Sequence, residues 1–98
     1  MREVEIERRL VSETKRRGGL CLKWVCPGFD GVPDRIILMP CGKVGFAELK
    51  APGKKPRPLQ ASRHRLFRKL GFTVHVIDDP EQIAPVLDEI GGTKSGKV

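Results

Sequence analysis

Aromatic residues are scarce in this 98-residue sequence, which has no Tyr, one Trp and four Phe. The lone Trp24 therefore reads as packing at the core or its edge rather than as a platform for stacked bases. No apolar run approaches the roughly 20 residues that span a bilayer, so no membrane partner is expected. The first residues, Met1-Arg2-Glu3-Val4-Glu5, lack the apolar centre of a signal peptide. Cysteine is also sparse. Cys21, Cys26 and Cys41 are three in number, so one stays unpaired. Cys21 and Cys26 with one distant Cys, and with His64 and His75 far off, make a poor zinc spacing. Reduced thiols in a cytoplasmic protein are the expectation. Internal repeats and separate linkers are missing too, so one domain with one modest core accounts for the chain. Its expected extent is 1–92, with 93–98 as a flexible C-terminal tail.

Negative charge is missing over a long interval. Between Leu49 and Ile77 there is no Asp or Glu, while Lys50, Lys54, Lys55, Arg57, Arg63, Arg65, Arg68 and Lys69 all fall there. The formal net charge of the chain is +7. Taken alone, such a block is a solvated surface. It also suits phosphate, because each Lys or Arg that meets a phosphate releases counterions. What precedes the block decides between the two. Directly before it stands a pair of carboxylates, which favours the phosphate reading.

That pair belongs to the stretch Gly31 to Lys50. Asp34 opens the run Ile36-Ile37-Leu38-Met39, rich in branched residues that suit strands. Pro40-Cys41-Gly42-Lys43 reads as a turn, and Val44 to Lys50 as the returning strand. With a strand period of two, Val44, Phe46, Glu48 and Lys50 share a face, and Leu49 points to the other. Burying lone charges on such a strand costs several kcal/mol, roughly, unless something pairs them. A divalent cation supplies that pairing. Asp34 and Glu48 offer hard oxygen ligands to Mg²⁺ or Mn²⁺, and the Leu49 carbonyl adds a third.

The remaining elements follow from periodicity and punctuation. Glu3 to Arg17 reads as a helix ended by Gly18-Gly19, with Val4, Leu10, Val11 and Thr14 on its inward face. Glu7 lies on that stripe. The residues alone leave it either as a border residue paired with Arg8 or Lys50, or as a carboxylate serving the site. Leu20 to Val25 reads as a strand, and Cys26 to Gly31 as a loop that borders Asp34. Asp30 in that loop is by default a turn residue. Three prolines from Pro52 to Pro58 exclude regular structure and leave a short, stiff, basic loop. Leu59 to Leu70 reads as the second helix, with Leu59, Arg63, Leu66, Phe67 and Leu70 spaced helically and Gln60 in its first turn. Thr73 to Ile77 alternates as a strand, with His75 structural or exposed. Asp78-Asp79-Pro80 caps a third helix, Glu81 to Ile90. The order α-β-β-β-α-β-α is a mixed α/β architecture, one sheet flanked by helices.

Pro33-Asp34, a gap of 13 residues, then Glu48-Leu49-Lys50 resembles the PD-(D/E)xK nuclease pattern. The flanking Gly31-Val32-Pro33-Asp34-Arg35 and Phe46-Ala47-Glu48-Leu49-Lys50-Ala51-Pro52-Gly53 is similar to the VRR-NUC (virus-type replication-repair nuclease) branch. The resemblance implies a restriction-endonuclease-like core from Glu3 to about Ile90. It implies hydrolysis of DNA phosphodiesters with Mg²⁺ or Mn²⁺ at Asp34, Glu48 and the Leu49 carbonyl, and with Lys50 on the attacking water. It also carries over a helix carboxylate upstream of Pro33-Asp34, which is Glu7 here, with Glu3 as the substitute if the helix register differs. Gln60 is carried over in the same way, as a residue facing the site after the ExK strand. No nucleotide cofactor is implied. Small standalone members resemble Holliday-junction resolvases, homodimers that cut four-way junctions, in the cytoplasm of a bacterium or a phage-infected host cell. Lys54, Lys55, Arg57 and Arg63 then become candidates for holding the DNA backbone. The rivals are a flap- or nick-directed or restriction-like endonuclease on the same fold, and a non-catalytic DNA-binding module. A basic domain of an RNA-protein assembly explains the Lys/Arg block but not the carboxylates.

Overall fold

The hairpin around the carboxylates is the middle of the sheet. In the computed structural model, which describes residues 1–92, Arg35–Met39 (β2) turns through a 3-10 segment, Pro40–Gly42, into Lys43–Leu49 (β3). Leu20–Lys23 (β1) pairs antiparallel with β2, and Thr73–Ile77 (β4) pairs parallel with β3, giving the order β1-β2-β3-β4. The helices are Glu3–Arg16 (α1), Pro58–Lys69 (α2) and, after a 3-10 turn at Pro80–Gln82, Ile83–Gly91 (α3). This is the mixed α/β order expected. The proposed tail, 93–98, lies outside the described residues. No helix among the described residues is long and apolar enough to cross a membrane.

The two sides of the sheet differ. On one side α1 and α3 close an apolar core in which Ile6, Leu10, Ile37, Ala47, Leu49, Ile77 and Leu87 are almost wholly buried. Gly45 lets α3 come this close, since a Cβ there would stand 2.6 Å from the Ile90 side chain. On the other side α2 packs on β4, over Phe46 and Glu48. Trp24, Phe46 and Phe67 form a mutual aromatic cluster with ring centroids 5.2 to 5.5 Å apart, and Phe72 meets Phe46 edge-on. Trp24 thus packs, as its isolation in the sequence implied.

Three details differ from the expectation. The inward stripe of α1 is Ile6, Leu10 and Thr14, while Val4 is exposed. Thr14 is buried at no polar cost because its hydroxyl donates to the Leu10 carbonyl at 2.7 Å. The buried face of α2 is Gln60 and His64, with Leu59, Leu66 and Leu70 left in solvent. The helix turns its polar edge inward because a carboxylate, Glu48, waits on the sheet below. Finally, β1 ends at Lys23 and not at Val25. The Trp24 N–H still donates to the Asp34 carbonyl, but Pro33 has no N–H with which to extend the ladder.

Candidate active site

Register builds the site. Arg35 pairs with Ala47, so the next pair outward sets Asp34 opposite Glu48. Both side chains then lie on the α2 side of the sheet. Asp34 stands at the open end of the β2–β3 hairpin, and its Oδ2 accepts the Leu49 N–H at 2.9 Å. Burial pushes the Asp34 carboxyl well above the usual carboxylate range, and the facing Glu48 adds to the rise against the lowering effect of that N–H. Glu3, at the start of α1, adds a smaller repulsion to the same carboxyl.

Glu48 is 1% exposed and is held from α2 and from its own strand. Its Oε2 accepts from Gln60 Nε2 at 2.9 Å and lies 3.6 Å from Lys50 Nζ. Gln60 can face only one way here, because its Oε1 already accepts the Arg57 N–H at the helix N-terminus, at 2.8 Å. The amide NH₂ is left for the carboxylate. The structure thus brings Asp34, Glu48, Lys50 and Gln60 together at one end of the sheet. Among the described residues, no three His, Cys, Asp or Glu side chains converge as a ready metal cage. The donors on offer are two carboxylates and backbone oxygen, a set that suits a hard cation which keeps part of its water.

Glu7 is placed elsewhere. Its Oε2 accepts from Arg35 Nε at 2.9 Å, and Arg35 Nη1 also donates to the Cys21 carbonyl. Arg35 alternates with Asp34 along the chain and so points to the α1 side of the sheet. The ion pair expected with Arg8 or Lys50 is made with Arg35 instead. Of the two helix carboxylates weighed from sequence, Glu3 is the one whose charge acts on Asp34.

No family model matches the sequence. A protein of Acyrthosiphon pisum secondary endosymbiont phage 1 described as "Putative nuclease p44" is 46% identical over 90 residues, covering 90% of this chain and 97% of its own length. A solved VRR-NUC domain superposes with a TM-score of 0.81 at 32% identity, covering 89% of this chain and 94% of that chain. The chain belongs to the VRR-NUC family.

In this VRR-NUC domain the basic residues divide into two groups. Lys54, Lys55 and Arg57 are exposed on the loop between β3 and α2, immediately beyond Lys50. Arg63 is engaged within the fold. Its Nε donates to the Asp30 carbonyl at 2.7 Å, and its guanidinium lies 3.8 Å from the centre of the Phe29 ring. Gly31, with φ at +90°, lets this loop lie on α2, where a Cβ would come within 2.9 Å of Leu59. Arg63 thus pins the loop that leads into Asp34. Sequence reasoning also passed over His64, which is 2% exposed with Nε2 at 3.5 Å from Glu48 Oε1. The available signal was its place four residues after Gln60, one helical turn along the same face.

Proposed function

We propose that this VRR-NUC domain is a DNA endonuclease that hydrolyses phosphodiester bonds with Mg²⁺ or Mn²⁺, cutting four-way junctions as a homodimer. One observation carries the reading. A nearly fully buried Glu48 faces Asp34, with Lys50 and Gln60 on its Oε2 and its Oε1 without a hydrogen-bond partner. Two carboxylates set together, with the proton affinity of Asp34 raised by burial and further by Glu48, suit a divalent cation between them. Asp34 and Glu48 would hold the cation, together with the Leu49 carbonyl. Bound there, it supplies an acidified water and counter-charge for the phosphate.

The chain's own groups do the rest. Lys50 orients the attacking water or helps remove its proton, and counters charge growing on the phosphoryl oxygens. Gln60 fixes the angle of Glu48. Glu3, or Glu7 if its pair with Arg35 opens, is the helix carboxylate available to the site. Lys54, Lys55 and Arg57 hold the neighbouring backbone, and Arg63, held by Phe29 and the Asp30 carbonyl, can extend the contact through its terminal nitrogens. The described phage relative, named as a nuclease, supports the reaction class.

The homodimer has support on the α2 side of β1 and β2, which no helix among the described residues covers fully. Leu20, Leu38 and Val44 are partners across three strands, as are Leu22, Ile36 and Phe46. Leu20 is 55% and Leu22 45% exposed. Two charge-free rows ending on an edge strand suit a second copy related by a two-fold axis.

The test is cleavage of labelled four-way junction, flap and linear duplex in Mg²⁺, with sedimentation of the protein and of Leu22→Asp. Symmetric junction cutting by a dimer that Leu22→Asp splits is the expected result. Preferential flap cutting would transfer the domain to a flap-directed role. Binding without cleavage of any substrate would leave a non-catalytic module.

A further inference from the structure

Glu48 meets α2 at two points, Gln60 and His64. Gln60 and His64 sit one turn apart on the buried face of α2, both pointing at the same carboxylate. Gln60 takes Oε2. The other oxygen, Oε1, has no hydrogen-bond partner, and neither has His64 Nε2, 3.5 Å from it. Both atoms are cut off from solvent. A buried polar atom left unmade is costly, and natural cores avoid it. Here two such atoms face each other 3.5 Å apart, one able to donate and one to accept, a little beyond the usual hydrogen-bond length. Histidine placed in a core for packing alone carries no reason to aim a ring nitrogen at a carboxylate oxygen.

We propose that His64 is a positioning residue whose Nε2–H holds Glu48 Oε1, forming with Gln60 a two-point clamp that fixes the carboxylate for cation binding. The inference rests on the reading of Asp34 and Glu48 as the cation site. The clamp needs only a proton on Nε2, the ring nitrogen that faces Oε1. Each carboxylate oxygen has two acceptor positions. After one donor from α2 on each, Glu48 keeps a lone pair on both oxygens, and the plane of the group is set. A carboxylate clamped in this way loses little rotational freedom when it binds an ion. Outer partners that orient a metal ligand commonly carry a substantial share of the affinity.

Mn²⁺ titration by calorimetry on the full chain tests this. His64→Leu should weaken Mn²⁺ binding by about 10- to 100-fold, the usual cost of losing such a partner, at unchanged stoichiometry. His64→Gln, which keeps an N–H donor on a side chain of similar reach, should return the affinity close to that of the parent. Asp34→Asn serves as the control for the site itself. If Asp34→Asn binds as the parent does, the cation site is misplaced. If Asp34→Asn loses Mn²⁺ while His64→Leu keeps parent affinity, the site stands and the clamp is overturned. Failure of His64→Gln to restore binding also overturns it, because a lost ligand rather than a lost donor is then at issue. The parent protein offers a check that needs no variant. Ring-nitrogen chemical shifts of His64 should show the Nε2–H tautomer, and a proton on Nδ1 alone would sink the proposal even if His64→Leu does not fold.

Discussion

The two faces of this sheet are built on opposite terms. Towards α1 and α3 the strands present Ile37, Ala47, Leu49 and Ile77, and the helices answer with Ile6, Leu10 and Leu87. Towards α2 the same strands present Asp34 and Glu48 at one end, an aromatic cluster in the middle and half-exposed leucines beyond. Strand β3 serves both, since alternate residues go to each side. Stability is concentrated on the first face, and the second is free to carry a charge pair that works against folding. A domain of this size has room for one core, and it lies behind the carboxylate pair.

The largest effect expected from breaking this division is on catalysis. Asp34→Asn or Glu48→Gln should lower cleavage by at least about 10²- to 10³-fold, the loss typical of removing one group that stabilises transition-state charge. DNA binding should be nearly unchanged, as measured by fluorescence anisotropy. Since burial beside Glu48 disfavours the Asp34 carboxylate, Asp34→Asn should raise the cation-free melting temperature. A lower melting temperature would mean that the pair stabilises the fold after all. Next comes the closed face. Leu87→Ala should cost about 2–5 kcal/mol in urea unfolding while leaving the specific activity of the folded fraction alone.

Smaller changes sharpen the boundary between the faces. Replacing Lys54, Lys55 and Arg57 together by Ala should weaken binding to all junction sequences alike. Each lost phosphate contact should flatten the plot of log affinity against log salt by about 0.9. An unchanged slope would return the loop to being a solvated surface. The smallest effect expected is that of Glu7→Gln. Its pair with Arg35 is largely buried but Gln keeps an acceptor there, so the loss should be about 0.5–1.5 kcal/mol, with activity retained. Glu3→Gln should be the more active-site-sensitive of the two, and equal kinetic effects in both variants would erase that distinction.

The hairpin from Asp34 to Lys50 was legible because strand periodicity is short and its turn is marked by Pro40 and Gly42. Once register is known, the meeting of Asp34 with Glu48 follows. Inward helix faces were harder. In α1 the stripe through Val4 and Val11 and that through Ile6 differ by a fraction of a turn, and only the sheet decides between them. In α2 the leucines give no guide to the buried side, whereas Gln60 in the first turn does face the site. Leu59, Leu66 and Leu70 are exposed, while Gln60 and His64 are buried, because hydrophobic spacing presumes an apolar floor and this helix stands on a carboxylate. The same presumption hid His64. Arg63 offered another lesson, since nothing in its spacing told that Phe29 and the Asp30 carbonyl would occupy it.

Gln60 joins two structures through one amide, with its oxygen on the Arg57 N–H and its nitrogen on Glu48. Fraying of the first turn of α2 therefore loosens one of the two holds on the carboxylate. Whatever quiets that turn, such as a phosphate backbone drawn to the exposed Lys54, Lys55 and Arg57 beside it, also stills Glu48. The Arg57 amide thus becomes a clock for one arm of the site: its rate of hydrogen exchange counts how often the Gln60 side chain leaves the helix terminus.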